Sequence, residues 1–150
     1  MAGSETRPVL DQVNIIGSDL EATLAFYRML GLEIREERVW RTETGAHHAN
    51  AEGEGIDLDF DSSRFAPHFN AAWAGHEDLA GRAIVGLRVS TSDDVDARYA
   101  TLTAAGYRGL QPPFDAFWGA RYAIVEDPDG LAVGIMGPVE PARRSPPPEV

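Results

Sequence analysis

Ser18-Asp19-Leu20-Glu21-Ala22-Thr23-Leu24-Ala25-Phe26-Tyr27-Arg28-Met29-Leu30-Gly31 decides the fold, because the chain carries this pattern twice. Ser18 stands where a helix cap is needed, and Glu21 where a side chain can reach back, as in a capping box. Leu20, Leu24, Tyr27 and Leu30 recur at helical spacing, and Gly31 supplies the stop. Adding 75 to each number puts Asp93 at the cap, Val95, Tyr99, Leu102 and Ala105 on the apolar stripe, and Gly106 at the stop. The same offset carries Gly55 onto Gly130, each opening an alternating segment. Self-similarity at a fixed period marks a duplicated supersecondary unit.

A strand-like stretch precedes each helix, residues 9–16 before the first and 82–89 before the second. Their apolar pairs Val13/Ile15 and Val85/Leu87 match at an offset of 72, so the second copy holds three extra residues near Ser90-Thr91-Ser92. Further strands are read at 32–41, 45–51 and 55–61, then at 107–110, 121–126 and 130–137. Glu126-Asp127-Pro128-Asp129-Gly130 is a tight turn between the last two. Each half is therefore β-α-β-β-β, and the expected class is α+β: two tandem βαβββ modules whose curved mixed sheets enclose a cleft. One domain is expected, with module one at about 8–61, a connector at 62–81, module two at about 82–137 and a proline-rich tail at 138–150. The tail is expected to be disordered or loosely extended.

Composition removes whole chemistries. The 150 residues contain no Cys and no Lys, since all 13 basic residues are Arg. Thiolate nucleophiles, cysteine-ligated metals, Schiff bases and the P-loop lysine are excluded. The net charge of −11 and a pI of about 4.6 argue against nucleic-acid binding, and no apolar run is long enough for a membrane span. Residues 1–7 lack an apolar signal core, so a cytoplasmic location is expected.

The segments Leu10-Asp11-Gln12-Val13, Ser18-Asp19-Leu20-Glu21, Ala25-Phe26-Tyr27 with Leu30-Gly31-Leu32, and Asp127-Pro128-Asp129-Gly130 resemble the vicinal oxygen chelate superfamily. That superfamily holds glyoxalase I, extradiol dioxygenases and the bleomycin-resistance binding proteins. The resemblance covers about residues 8–137 and implies paired βαβββ modules. Residues 113–119 also look like a stretch found in glyoxalase-like members. The resemblance implies four metal positions, one on the first and one on the last strand of each module. They fall on Gln12, Asp59, Ile84 and Gly134. Gln12 and Asp59 are the weak metal candidates; Ile84 and Gly134 offer no donor, so no metal or other cofactor is expected.

Alternation puts Val13, Ile15, Leu58, Val85, Leu87 and Val133 under the helices, and Gln12, Asn14, Asp57, Asp59, Ile84, Gly86, Arg88, Ala132 and Gly134 on the other face. His47 and His48, adjacent on one strand, point to opposite faces, so one of them faces the cleft; His48 is carried as the candidate. Phe114, Phe117, Trp118 and Tyr122 cluster near a stretch, residues 112–119, that reads as a loop; Trp40 and Trp73 lie elsewhere. The candidate ligand-binding set is Gln12, Asn14, Trp40, His48, Asp57, Asp59, Arg88, Phe114, Phe117, Trp118, Arg121 and Tyr122. Asp59 is read as a polar anchor, and Gly134 as space for a ligand. Arg88 and Arg121 either seal the cleft against Asp57, Asp59 or Asp115 or clamp a substrate carboxylate.

The expected function is metal-independent binding of a small organic molecule, cationic or aromatic. The alternative is a divalent-metal-dependent glyoxalase-like lyase or isomerase, or a dioxygenase; a purely structural or protein-binding role is the third. The resemblance also leaves a homodimer open.

Overall fold

Duplication in the sequence becomes duplication in space. A computed structural model of the chain describes residues 12–71 and 83–148. The first module runs β1 (Gln12–Gly17), α1 (Leu20–Leu30), β2 (Trp40–Thr42), β3 (Gly45–Ala51) and β4 (Asp57–Ser62). The second runs β5 (Ile84–Arg88), α2 (Ser92–Ala104), β6 (Gly109–Asp115), β7 (Arg121–Glu126) and β8 (Ala132–Met136). The fold is α+β with two four-stranded mixed sheets, ordered β1-β4-β3-β2 and β5-β8-β7-β6, that do not close into a barrel. Parallel pairing sets Gln12 opposite Asp57 and Asn14 opposite Asp59. The second sheet repeats it, with Ile84 opposite Ala132 and Gly86 opposite Gly134, so both offsets, 72 and 75, hold. Among the described residues, no helix is long and apolar enough to cross a membrane.

The helical stripe of α1 is buried as its spacing requires: Leu20, Leu24, Tyr27 and Leu30 pack under the sheet, joined by Phe26. Its partners include Ile15 and Phe60, and the same core runs on through Val95, Leu102, Ala123, Val125, Val133 and Ile135 of the second module. In α2 only Val95 and Leu102 are fully buried, and Ala105 is exposed. Leu58, Val85 and Leu87 pack half-buried against the core, and Val13 is half-buried. Phe26 and Tyr107 join the modules edge-on, with ring centroids 4.8 Å apart. Gly31 ends α1 at φ 112°, where a Cβ would collide with the Arg98 guanidinium that donates to the Leu30 carbonyl at 2.5 Å.

Several local expectations are corrected. Asp19, not Ser18, caps α1 by accepting from the Ala22 N–H, and Thr91, not Asp93, caps α2. Ser18 instead donates through its hydroxyl to Asp129, 2.5 Å away across the module boundary. Glu21 does not reach back to the cap; it pairs with Arg41. Residues 32–41 are mostly not strand, holding a 3-10 turn at Glu36–Arg38 and a single bridge between Glu33 and Glu52. Residues 112–115 are strand rather than loop. Pro112 and Pro113 sit in β6, the edge of its sheet, where register shifts absorb their missing N–H groups.

The tail is also ordered where it is described. It forms a 3-10 turn at Pro141–Arg143 and lies on residues 117–119: Glu140 N donates to Gly119 O and Ser145 N to Phe117 O, both at 2.9 Å. Residues 9–11 and 82, the second half of the connector with Trp73 and His76, and residues 149–150 lie outside the described residues.

Candidate functional site

The side of each sheet away from the helices is open, and the two open faces differ in chemistry. On the first, Gln12 and Asn14 of β1 lie beside Asp57 and Asp59 of β4, followed by Asn50 and His48 of β3. His48 pairs with Asp61 in register and meets it at 2.6 Å through Nδ1. It is therefore His48, not His47, that shares this face with the aspartates. His47 is buried on the other side, its Nδ1 2.7 Å from Ser62 Oγ and its Nε2 2.7 Å from Thr44 Oγ1. Trp40 packs away from His48, with its ring 5.3 Å from His47 and 5.2 Å from Phe65.

The second face carries a pocket of about 360 Å³, lined by Ile84, Gly86, Leu87, Arg88, Trp118, Tyr122 and Met136. Its shape follows from two glycines paired across β5 and β8. A Cβ on Gly86 would meet nothing within 4 Å, so Gly86 leaves the sheet floor bare. A Cβ on Gly134 would lie 2.6 Å from the Tyr122 hydroxyl oxygen. The space over Gly134 is thus filled by the Tyr122 ring from β7, which corrects the expectation that it is left for a ligand.

Trp118 supplies the wall. It sits in a tight turn closed by Gly119 N donating to Ala116 O, and its carbonyl accepts from Arg144 Nε of the tail. A Cβ on Gly119, whose φ is 96°, would approach Glu140 O to 2.5 Å, so glycine is what lets the tail lie against the turn. Tyr122, Phe117 and Phe114 surround Trp118 edge-on at 5.4, 5.2 and 6.3 Å. Phe114 and Phe117 support the indole but do not line the pocket. Among the described residues, Trp118 Nε1 is the one buried side-chain nitrogen or oxygen without a hydrogen-bond partner.

The two arginines separate. Arg121 is held by Asp96 at 2.9 Å and Asp115 at 3.4 Å, and these carboxylates keep its pKa raised. It seals the side of the sheet. Arg88 lines the pocket and has no ion-pair partner among the described residues. Burial raises the Tyr122 phenol above its usual pKa, so at neutral pH it is a protonated donor.

Of the twelve candidates, Arg88, Trp118 and Tyr122 come together in this pocket. Gln12, Asn14, His48, Asp57 and Asp59 share the first open face, and Trp40 belongs to a separate aromatic group. Ile84, Gly86, Leu87 and Met136 complete the pocket. Ile84 and Gly86 were legible as residues of that face by alternation, and Met136 by its place two residues after Gly134.

The four metal positions implied by the resemblance do not fit a metal. Gln12 and Asp59 bring one amide and one carboxylate on the first sheet. On the second, Ile84 is a hydrocarbon and Gly134 lies under Tyr122. Among the described residues no three His, Asp or Glu side chains are arranged to hold a metal ion.

Comparison with known proteins gives one family and many structures. The Glyoxalase/Bleomycin resistance protein/Dioxygenase superfamily matches residues 9–135. No curated protein sequence matches. A glyoxalase/bleomycin resistance protein/dioxygenase from Nocardioides is similar at 24% identity, covering 91% of this chain and 87% of its own, with a TM-score of 0.67. A family enzyme from Burkholderia phytofirmans PsJN is 20% identical, covers 87% and 98%, and gives a TM-score of 0.71. A lactoylglutathione lyase from Agrobacterium tumefaciens is 17% identical, covers 89% and 96%, and gives 0.61. At these identities the likeness is one of fold.

Proposed function

Because the chain belongs to the Glyoxalase/Bleomycin resistance protein/Dioxygenase superfamily, we propose that it binds a small organic molecule on the open face of its second sheet, without a catalytic metal. One observation carries this reading: where that face would need metal donors, the chain has Ile84 and a glycine covered by Tyr122, and beside them a pocket walled by Trp118. A volume of about 360 Å³ falls within the range of small-ligand sites. Apolar walls with a few donors are the usual composition of such sites. Arg88, Trp118 and Tyr122 are the proposed contacts. Gln12, Asn14, His48, Asp57 and Asp59 form the other open face, and a homodimer is part of the same proposal.

A melting-shift screen with a broad small-molecule library tests this reading. Ligands found in that screen should bind Trp118→Ala at least about tenfold more weakly, as expected for loss of a packed aromatic contact. The variant should keep its fold, because Trp118 lines a pocket rather than the helix-packed core. Chelator should leave ligand affinity unchanged. Stoichiometric zinc, nickel or iron tied to turnover would replace the proposal with the metal-dependent lyase or dioxygenase reading.

A further inference from the structure

We infer that the second-sheet pocket selects an organic anion: a ring-bearing acid whose carboxylate meets Arg88 and whose body lies against Trp118 and Met136. The inference rests on the reading of that pocket as a small-molecule site, and it names the ligand class.

Three observations converge. First, among the described residues the lining includes no carboxylate, and its one formal charge is Arg88. In a chain of net charge −11 this is unusual. Arg28, Arg35, Arg38, Arg41, Arg98 and Arg121 each have an acidic partner within 3.5 Å, whereas Arg88, like Arg64 and Arg144, has none among the described residues. A guanidinium set beside apolar walls gains most from a carboxylate, which it can grip through two parallel N–H bonds.

Second, the other polar side chains lining the pocket can donate, the Tyr122 hydroxyl accepting as well. The Tyr122 phenol stays protonated, and Trp118 Nε1 can only donate. That N–H is shut away from water without an acceptor, so the indole gains a hydrogen bond if it turns toward an arriving oxygen. Third, the walls are flat and apolar. Trp118 and Tyr122 pack edge-on at 5.4 Å and line the same pocket as the bare floor at Gly86, so a ring laid over that floor meets an aromatic wall. A cation would find the same rings, but it would meet Arg88 with no carboxylate in the lining to offset it. A cationic ligand, one of the two classes expected, gives way here: the charge of the whole chain and that of the pocket have opposite signs.

A carboxylate could come from a free acid or from an aspartate of a second copy, and one experiment separates the two. The full chain is titrated with phenylacetate, phenylacetamide and phenethylamine, which share a ring and differ in charge. Affinity is read by calorimetry, and the Trp118 indole N–H resonance, assigned with Trp118→Phe, reports occupancy of the pocket. Phenylacetate should bind at least about tenfold tighter than the amide, the scale of one charge-assisted hydrogen bond. Arg88→Gln should reduce that preference, read as the ratio of acid to amide affinity, to within about twofold. Equal affinity for acid and amide, or a preference for the amine, overturns the inference but keeps the pocket as a ligand site if the Trp118 resonance moves. A Trp118 resonance unmoved by all three probes, and by the wider library, removes the underlying reading as well. If Arg88→Gln halves the particle mass without changing acid selectivity, the partner of Arg88 is an aspartate of a second copy, and the inference is overturned.

Discussion

Asp127 shows how one side chain in the Asp-Pro-Asp-Gly turn ties two modules together. Its carboxylate is almost fully buried. Oδ1 accepts from the Asp129 and Leu131 N–H groups, both at 2.9 Å, and Oδ2 accepts from the Tyr27 hydroxyl of the first module at 3.2 Å. Burial raises its pKa against the pull of those donors, and burial with the nearby Asp127 charge pushes the Tyr27 phenol far up. A carboxyl raised in the folded state binds more protons there than in the unfolded chain. Its contribution is therefore fully present below its ordinary pKa of about 4 and is lost as pH rises through the raised value. Asp127→Asn keeps an acceptor for the turn and removes the titration. In urea unfolding across that window, the stability of wild type minus that of the Asn variant should fall as pH rises. A pH-independent difference would show that the carboxyl is not raised. Asp127→Ala leaves two turn N–H groups and the Tyr27 hydroxyl without their acceptor, and should cost about 2–4 kcal/mol at neutral pH.

Among the elements, β6 and the tail act as one unit around the pocket wall. The edge position of β6 tolerates Pro112 and Pro113, and its end delivers the chain into the turn that holds Trp118. The tail then closes over that turn through Glu140, Arg144 and Ser145. None of its described residues belongs to the buried core, so deleting 139–150 should leave the fold cooperative and lower the melting temperature little. The turn itself should loosen. In a background where Trp40 and Trp73 are replaced by Phe, acrylamide should quench Trp118 more strongly in the truncated chain, and pocket ligands should bind more weakly. Unchanged quenching would mean that the turn holds its shape without the tail.

At the scale of the molecule, the modules meet on their helix side and leave both sheet faces outward. Phe26 against Tyr107, Tyr27 on Asp127 and Ser18 on Asp129 form that seam. On the outward side Ile84 is 51% exposed and Phe114 is 37% exposed, apolar surface that a partner would remove from water. The proposed second copy predicts a particle of twice 16.3 kDa in sedimentation equilibrium. Ile84→Asp, on the outer face of an edge strand, should shift the particle to monomer without lowering helical content. A monomer in the wild type at all concentrations would sink the two-copy arrangement and leave the pocket on a single chain.

The sequence by itself determined the modules, because a repeated helical stripe and alternating strands are periodicities within a few residues of one another. Leu20, Leu24, Tyr27 and Leu30 announce a buried face whatever lies opposite. Alternation likewise put Ile84, Gly86 and Arg88 on one face before any partner strand was known. What only the tertiary structure decided were relations between residues far apart in the chain: the Tyr122 ring over Gly134, Arg121 taken by Asp96, and Arg88 left without a carboxylate. The caps belong with these, since Ser18 was drawn from its helix by Asp129, 111 residues away. No local pattern encodes such pairings. Each depends on which side chains share a space, and that is fixed only when strands pair and modules dock.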